Sequence, residues 1–206
     1  KIENGELQLT TTVNNLASSA FYDTVQPVEI FAAQFDYQYL GGSAPPADGI
    51  AFVLQNDPNG VIRRGVGGGG LGYQDITNSV ALLMSVYNAW EVGVQVAAGG
   101  AFNSADHVSS SPVDLLSGNP IRTTIDYDGL TATMTLEDLV TLDTYEASLD
   151  ADIPSYLGGT TAFVGFTGGT GGLNADQRVS NFSFDSQALQ TLYWDKNGNN
   201  AWVSGH

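Results

Sequence analysis

The residues with the clearest capacity for chemistry are a carboxylate and the run of glycines that follows it. Asp48 precedes a strand-like segment, GIAFVLQ, and the glycine-rich run GVGGGGLGY comes next. A sugar presents hydroxyl groups that donate and accept hydrogen bonds, together with a weakly apolar ring face. A carboxylate can accept from those hydroxyls, glycine amides can approach them closely, and an aromatic ring can contact the ring face. The pattern is compatible with a carbohydrate site, but a turn-ending aspartate and a flexible glycine connection would show the same spacing.

Alternation of apolar and polar residues divides most of the chain into short strands. No long segment has helical periodicity, and turn residues separate the alternating runs. Short strands with one apolar face must bury it against a second sheet, so the pattern predicts an all-β sandwich of two antiparallel sheets. The predicted strands are 6–13, 28–37, 49–54, 80–86, 91–96, 122–127, 130–136, 139–148, 161–167 and 178–184.

Two local signals refine this prediction. Asp128-Gly129 lies between IRTTIDY and LTATMTL and predicts a hairpin in which both central residues have positive φ. A short helical turn is expected over 153–156, because Asp152 precedes it and Pro154 suits an early helical position. The residues predicted to form the core include Phe31, Phe35, Phe52, Leu54, Val80, Leu82, Val94, Ile125, Phe163, Phe166 and Phe182.

Composition narrows the classes of partner. With 206 residues the chain can form one sizeable core, and 22 acidic residues against 6 basic ones give a formal net charge of -16. Nucleic acid and anionic lipid surfaces would be repelled. Cysteine is absent, and no apolar run reaches the length that inserts into a membrane. The lysine-poor, acidic composition favours a secreted or cell-surface protein, in which case we expect the signal peptide to have been removed.

The order of these segments resembles the L-type (legume-type) lectin domain. ADGIAFVLQ, GVGGGGLGY and SVALL stand in the family's order, and IRTTIDYDGLTATMTLEDL, TAFVGF and SNFSF resemble its closing strands. The resemblance covers roughly Leu7 to Phe184 and fits the bacterial surface or secreted variety better than plant seed lectins. It implies a concanavalin A-like jelly-roll sandwich over residues 1–186, with 187–206 as a C-terminal tail or the start of a further module.

The resemblance also implies a sugar site. Asp48 would be the acceptor, Asn88 would take the part of the family's neighbouring asparagine, and Tyr73, Tyr87 or Trp90 could supply the aromatic platform. A second glycine-rich loop, GGTGGLN, occupies the position that helps fix sugar specificity in the family. The residues predicted to bind ligand are Asp48, Gly67, Gly68, Gly69, Gly70, Tyr87, Asn88, Gly169, Thr170, Gly171, Gly172, Leu173 and Asn174.

The family's metal pair is not expected here. Leu83 and Ser85 stand where the family carries a glutamate and an aspartate, Glu91 stands where it carries a histidine, and the metal loop is missing. Calcium needs several oxygen ligands and a transition metal needs imidazole or carboxylate, so we predict no metal ligand or other cofactor at this place. The spacing of aspartate and asparagine in WDKNGNNAW, beginning at Asp195, leaves a non-standard calcium site open in the tail.

Three rival patterns have weaker support. The G-x-G-x-x-G within the glycine run does not open a helix, as a dinucleotide site requires. Ser104, Asp106 and His107 are triad residue types without a nucleophile elbow. The acidic cluster Glu137, Asp138, Asp143 and Glu146 lacks the E-x-D-x-E spacing of sandwich glycoside hydrolases. We therefore predict a non-catalytic carbohydrate-binding module; the alternatives are a structural or adhesive surface module without sugar binding and, more distantly, a sandwich-fold glycoside hydrolase.

Overall fold

A computed structural model describes residues 1–3, 5–89, 91–187, 192–194 and 202–204. Short strands make up most of it, with one α-helix, α1 (Ile153–Leu157), and 3₁₀ turns at Gly60–Ile62, Gly68–Gly70 and Ser104–Asp106. The strands in chain order are β1 (Ile2–Glu3), β2 (Glu6–Thr10), β3 (Ala17–Phe21), β4 (Gln26–Pro27), β5 (Ile30–Gly42), β6 (Gly49–Gln55), β7 (Ser79–Ser85), β8 (Gly93–Ala98), β9 (Val108–Ser109), β10 (Ile121–Tyr127), β11 (Thr131–Asp138), β12 (Thr144–Asp150), β13 (Thr161–Gly169), β14 (Ala175–Gln187), β15 (Leu192–Trp194) and β16 (Trp202–Ser204).

Two antiparallel sheets form a sandwich, as the alternation predicted. Sheet I has the strand order β1-β2-β14-β5-β10-β11-β12, and sheet II has the order β3-β13-β6-β7-β8-β9, with β4 also paired to β13. The strands β15 and β16 pair with each other. Each of the ten predicted ranges contains a strand, but the predicted strand 139–148 begins only at Thr144, because residues 139–143 form the turn after β11. The strand β3 was missed because its sequence, ASSAF, has too little apolar alternation to signal a strand. The strands β1, β4, β9, β15 and β16, each of two or three residues, were not predicted either. The tail pattern that begins at Asp195 lies outside the described residues.

The core lies between the sheets and is built from their inward-facing residues. Phe35 of sheet I contacts Phe52 and Phe166 of sheet II, with ring centroids 5.9 and 5.0 Å apart. Burying one such side chain contributes about 1.5–3 kcal/mol. The predicted core residues that are buried are Phe31, Phe35, Phe52, Leu54, Leu82, Val94, Ile125 and Phe166.

Three predicted core residues are not fully buried. Phe182 is 41% exposed because it lies where the pairing of β14 with β5 shifts register, beside Asn181 at φ 52. Its ring still meets that of Phe166 at 5.0 Å. Phe163 is half-buried, since it lies on the opposite face of β13 from the inward-facing Val164 and Phe166. Val80 is also half-buried and packs against the edge of the core.

Both local signals correspond to structure, with one difference. The strands β10 and β11 form the predicted hairpin, but of its two central residues only Gly129 has positive φ (+100°). Asp128 instead accepts hydrogen bonds at Oδ1 from the backbone N–H groups of Leu130 and Thr131. The prediction of positive φ at Asp128 was therefore wrong, because its side chain caps a longer loop. The helix α1 forms with Pro154 in its first turn, as predicted.

The segment between β6 and β7 folds back over the outer face of sheet II. Leu71, Tyr73 and Ile76 are buried there against small and aliphatic residues of β6, β7 and β8. This second apolar cluster fixes the glycine run in place and turns it toward the start of β6. No helix among the described residues is long and apolar enough to cross a membrane.

Candidate functional site

The backbone of Asp48 is fixed by the ends of two neighbouring strands. It lies just before β6, after a cis peptide bond from Ala47. Its N–H donates to the carbonyl of Gly169 at the end of β13 (3.2 Å), and its carbonyl accepts from the N–H of Val86 just after β7 (3.0 Å). Because β6 lies between β13 and β7, these two bonds hold the residue from both sides.

The carboxylate of Asp48 is buried and incompletely hydrogen-bonded. The residue is only 6% exposed, and its Oδ2 has no hydrogen-bond partner. Two glycines stand against it: a Cβ on Gly171 would lie 3.1 Å from Oδ2, and one on Gly68 would lie 3.9 Å away. Burial raises the pKa of Asp48 to about 6. The nearby backbone N–H of Gly171 offsets this only in part, since it donates its hydrogen bond to the carbonyl of Leu173 and not to Oδ2. A charged acceptor is thus held in a narrow space lined by bare backbone.

A second buried aspartate shows what a satisfied carboxylate looks like in this fold. Asp57 is 5% exposed, yet it accepts from the backbone N–H and side chain of Asn59 and from the N–H and hydroxyl of Thr77. Burial raises the pKa of Asp57, but these bonds outweigh it and lower the pKa to about 2. The two aspartates have similar exposed fractions and opposite pKa shifts. Asp48 is surrounded more deeply by protein and has fewer donors than Asp57, so both burial and missing partners separate their pKa values.

The first glycine run contributes mainly through Gly68. Gly68 has φ +56°, which L side chains rarely adopt, and its N–H donates to the carbonyl of Thr170 at 3.0 Å. Gly67 and Gly70 instead face packed neighbours, since a Cβ would approach Leu16 at Gly67 and the side chains of Gln74 and Val66 at Gly70. Gly69 belongs to the same 3₁₀ turn. The run therefore places Gly68 beside the carboxylate. Gly67 and Gly70 allow the run to pack this closely against its neighbours, because a side chain at either position would clash with them.

The second loop, 169–174, is held against neighbouring segments by hydrogen bonds of its own polar side chains. Thr170 is fully buried, donates its hydroxyl to the carbonyl of Val13 and accepts from the N–H of Leu16. Asn174 accepts from the N–H of Ser43 and donates to Asn14 Oδ1. Thr170 and Asn174 thus position the loop and have little bonding capacity left for a ligand. Neither Ser43 nor Asn14 was singled out from the sequence, since isolated polar residues in turns carry no distinguishing pattern.

The remaining residues of this loop are open. Gly171 lies against the carboxylate, as described, while Gly172 is exposed with no atom within 4 Å of where a Cβ would stand. Leu173 is half-buried, and its carbonyl accepts from the N–H of Gly171. The tip of the loop therefore has free space on its outer side, above Asp48.

Of the three candidate aromatic residues, the structure excludes Tyr73 as the platform. Tyr73 is fully buried and accepts at its hydroxyl from Ser79 and from the N–H of Gly100, so it belongs to the core. Tyr87 is half-buried and follows Val86, whose N–H binds the carbonyl of Asp48. Asn88 comes next and is exposed, and Trp90 lies outside the described residues.

The residues present do not fit the family's metal pair. Leu83 is fully buried in the second apolar cluster, and Ser85 is buried at the end of β7. Throughout the part of the chain that the structure describes, no three His, Asp or Glu side chains come together in a way that could hold a metal ion. In the acidic cluster after β11, Asp138 is buried and accepts from Asn119 and from the N–H groups of Val140 and Thr141, which is a turn-capping role.

Known proteins of similar sequence and structure share the fold described above. The chain is 25% identical over 91% of its length to an L-type lectin-domain containing receptor kinase of Arabidopsis thaliana, and spans 32% of that protein. The solved lectin from Bauhinia forficata in complex with GalNAc superposes with a TM-score of 0.75 at 21% identity, covering 88% of this chain and 87% of the lectin. Arcelin-5 of Phaseolus vulgaris, a lectin-like defense protein, gives 0.73 at 17% identity over 91% and 89%.

These structural neighbours confirm the predicted legume-lectin sandwich, and the Legume lectin domain matches residues 1–198. The chain belongs to the legume lectin domain family.

Proposed function

We propose that this chain is a non-catalytic module that binds carbohydrate at Asp48. The observation that carries the proposal is the buried Oδ2 of Asp48, which has no hydrogen-bond partner and faces glycine backbone. A buried acceptor without a partner costs about 1–3 kcal/mol, more if charged, so a donor that fills this place gains that amount. Sugar hydroxyls are donors of suitable size for this place.

Binding would proceed without a metal ion. The two backbone hydrogen bonds of Asp48 hold its main chain in place. Because the carboxylate is buried, it is poorly solvated, and a sugar hydroxyl would give it a hydrogen bond that it lacks in the free protein. Family membership supports the carbohydrate class. The described groups next to the Asp48 carboxylate are glycines, so we assign no acid–base role to Asp48. The acidic composition supports a secreted or cell-surface location.

A surface module without sugar binding is the second candidate. The loop 169–174 favours this candidate, because the polar side chains of Thr170 and Asn174 already form hydrogen bonds within the protein. In that case Asp48 would be a residual feature of the scaffold, and the first contact shell for a sugar would consist of little more than one carboxylate and backbone amides.

The test is a glycan array followed by calorimetric titration of the best ligand. Wild type is compared with Asp48→Ala, and with Asp126→Asn, which removes the same charge from an exposed position on sheet I. Losing hydrogen bonds to a charged acceptor costs about 1.5–3 kcal/mol, or roughly 10- to 100-fold in affinity. Asp126→Asn should bind like wild type, and circular dichroism should show both variants folded.

Two results would decide against the proposal. If wild type binds no glycan, the surface-module function is correct. If wild type binds and folded Asp48→Ala binds equally well, the sugar site lies elsewhere on the protein.

A further inference from the structure

A cavity lies between the two sheets, at the edge where β12 and β8 face each other. Its volume is about 110 Å³, and its walls come from both sheets and α1. Phe31 and Met134 line it from sheet I, and Phe52 and Leu82 from sheet II. Ser148 is the one polar residue among those that line it. No residue of the candidate sugar site takes part, so this cavity is a separate feature.

The cavity exists because small residues face each other on the edge strands. Met134 of β11 pairs with Ala147 of β12, and Ala132 pairs with Leu149. The alanines leave unfilled the space that a larger residue would occupy. Leu149 and, across the gap, Val96 of β8 both line the cavity and are 47% and 50% exposed. They mark an opening to solvent at the edge of the sandwich.

The lining selects an apolar occupant of limited size. Water inside would find almost no hydrogen-bond partners, so an apolar group that displaces it is favoured. A cavity of about 150 Å³ holds benzene, so a slightly smaller one with an open mouth suits a single alkyl chain better than a ring system. A polar end group of such a chain would remain in water at the mouth.

Acidic residues in a depression beside the cavity select the end group. An adjoining depression shares Ala151 with the cavity and is lined by Glu29, Asp150 and Asp152. The whole chain carries a net charge of -16, so an anionic end group would be repelled and a cationic one attracted. We propose that this cavity binds the alkyl chain of a small cationic amphiphile, an alkylammonium compound, with the ammonium group in the adjoining acidic depression.

The two methionines of the chain provide the test. Met134 lines the cavity, whereas Met84 is fully buried in the same core and does not line it. Protein labelled with ¹³C at the methionine methyl groups is titrated with hexylammonium, 1-hexanol and hexanoate at low ionic strength. Hexylammonium should shift the Met134 signal saturably and the Met84 signal much less. Its affinity should exceed that of hexanol about threefold or more, with hexanoate weakest.

Variants locate the ligand. Ala147→Leu fills the cavity and should abolish the Met134 response, while Ala105→Leu, at an exposed position of a 3₁₀ turn, should leave it unchanged. Ala132→Leu fills the same space from the paired strand if Ala147→Leu does not fold. The proposal is overturned if hexylammonium leaves Met134 unshifted, if a folded cavity-filling variant still responds, or if hexanoate or hexanol binds as tightly as hexylammonium.

Discussion

The buried carboxylate of Asp48 should destabilise the folded protein at neutral pH, and the effect can be isolated by substitution to asparagine. Its pKa is 3.8 when solvated and about 6 in the folded chain. Because the folded value is raised, the unfolded chain ionises first as pH rises. Stability is lost between about pH 3.8 and 6, and the full penalty remains above pH 6. Asp48→Asn cannot ionise, so it escapes this penalty.

The magnitude follows from linkage between the two pKa values. With 3.8 and 6, the ionisation penalty is about 1.6 kcal/mol at pH 5 and about 3.0 kcal/mol at pH 7.5. Relative to Asp48→Asn, wild type should therefore lose about 1.4 kcal/mol between these pH values. Both lie above the isoelectric point of about 4.1, where solubility would fail. Taking the difference between two proteins removes the contributions of the other acidic residues.

Asp57→Asn is the matched control with the opposite sign. The pKa of Asp57 is lowered to about 2, so its stabilising effect is lost only as pH falls from about 3.8 to 2. We expect Asp57→Asn to be less stable than wild type by about 2 kcal/mol at both pH 5 and pH 7.5. Urea unfolding followed by fluorescence at each pH measures all three proteins. A difference between wild type and Asp48→Asn that stays constant with pH would refute the reasoning.

Four further outcomes are expected. Gly171→Ala should weaken sugar binding about tenfold or more, because its methyl group would lie 3.1 Å from Oδ2 of the Asp48 carboxylate. Gly172→Ala should bind normally in the same titration, because no atom lies within 4 Å of the added methyl group. Sugar affinity should fall about tenfold from pH 7 to pH 5, as that carboxylate goes from about 90% to about 10% ionised; a flat profile would remove it from the site. Arg122→Ala breaks a two-bond ion pair with the buried Asp36 and should lower the free energy of unfolding by about 2 kcal/mol, against less than 0.5 for the exposed Arg64→Ala. Dialysis against a chelator should leave sugar affinity unchanged, and a loss restored by calcium would show that a metal takes part.

Much of the fold was predictable because its determinants are periodic. Strand alternation and the Asp128-Gly129 turn are local patterns, and each gave the correct element. The errors occur where tertiary structure overrides the alternation of apolar and polar residues. Phe182 lies at a register shift in β14. The strand β3 forms because it pairs with β13 more than because of its own sequence. Such irregularities depend on partners distant in sequence, so alternation alone does not reveal them.

The candidate site was predictable only in outline. Asp48 and the two glycine runs could be selected as a group, and the structure brings Asp48, Gly68 and Gly171 together. The sequence could not separate these from Thr170 and Asn174, whose side chains fasten the loop. That distinction depends on whether a polar group already has partners, and the partners Leu16 and Ser43 lie more than a hundred positions away along the chain.

The structure also indicates how a lectin scaffold can keep its central aspartate without the metal pair. The backbone of Asp48 is bonded to Gly169 on one side and to Val86 on the other. Those bonds fix the main chain and leave the carboxylate free to bind a ligand, since neither of them uses a side-chain oxygen. Asp57, with every donor in reach, shows that the fold can satisfy a buried carboxylate when its role is structural. At Asp48 the fold fixes the main chain and supplies no such donor to Oδ2, and the proposed sugar hydroxyl would be the donor that completes this carboxylate.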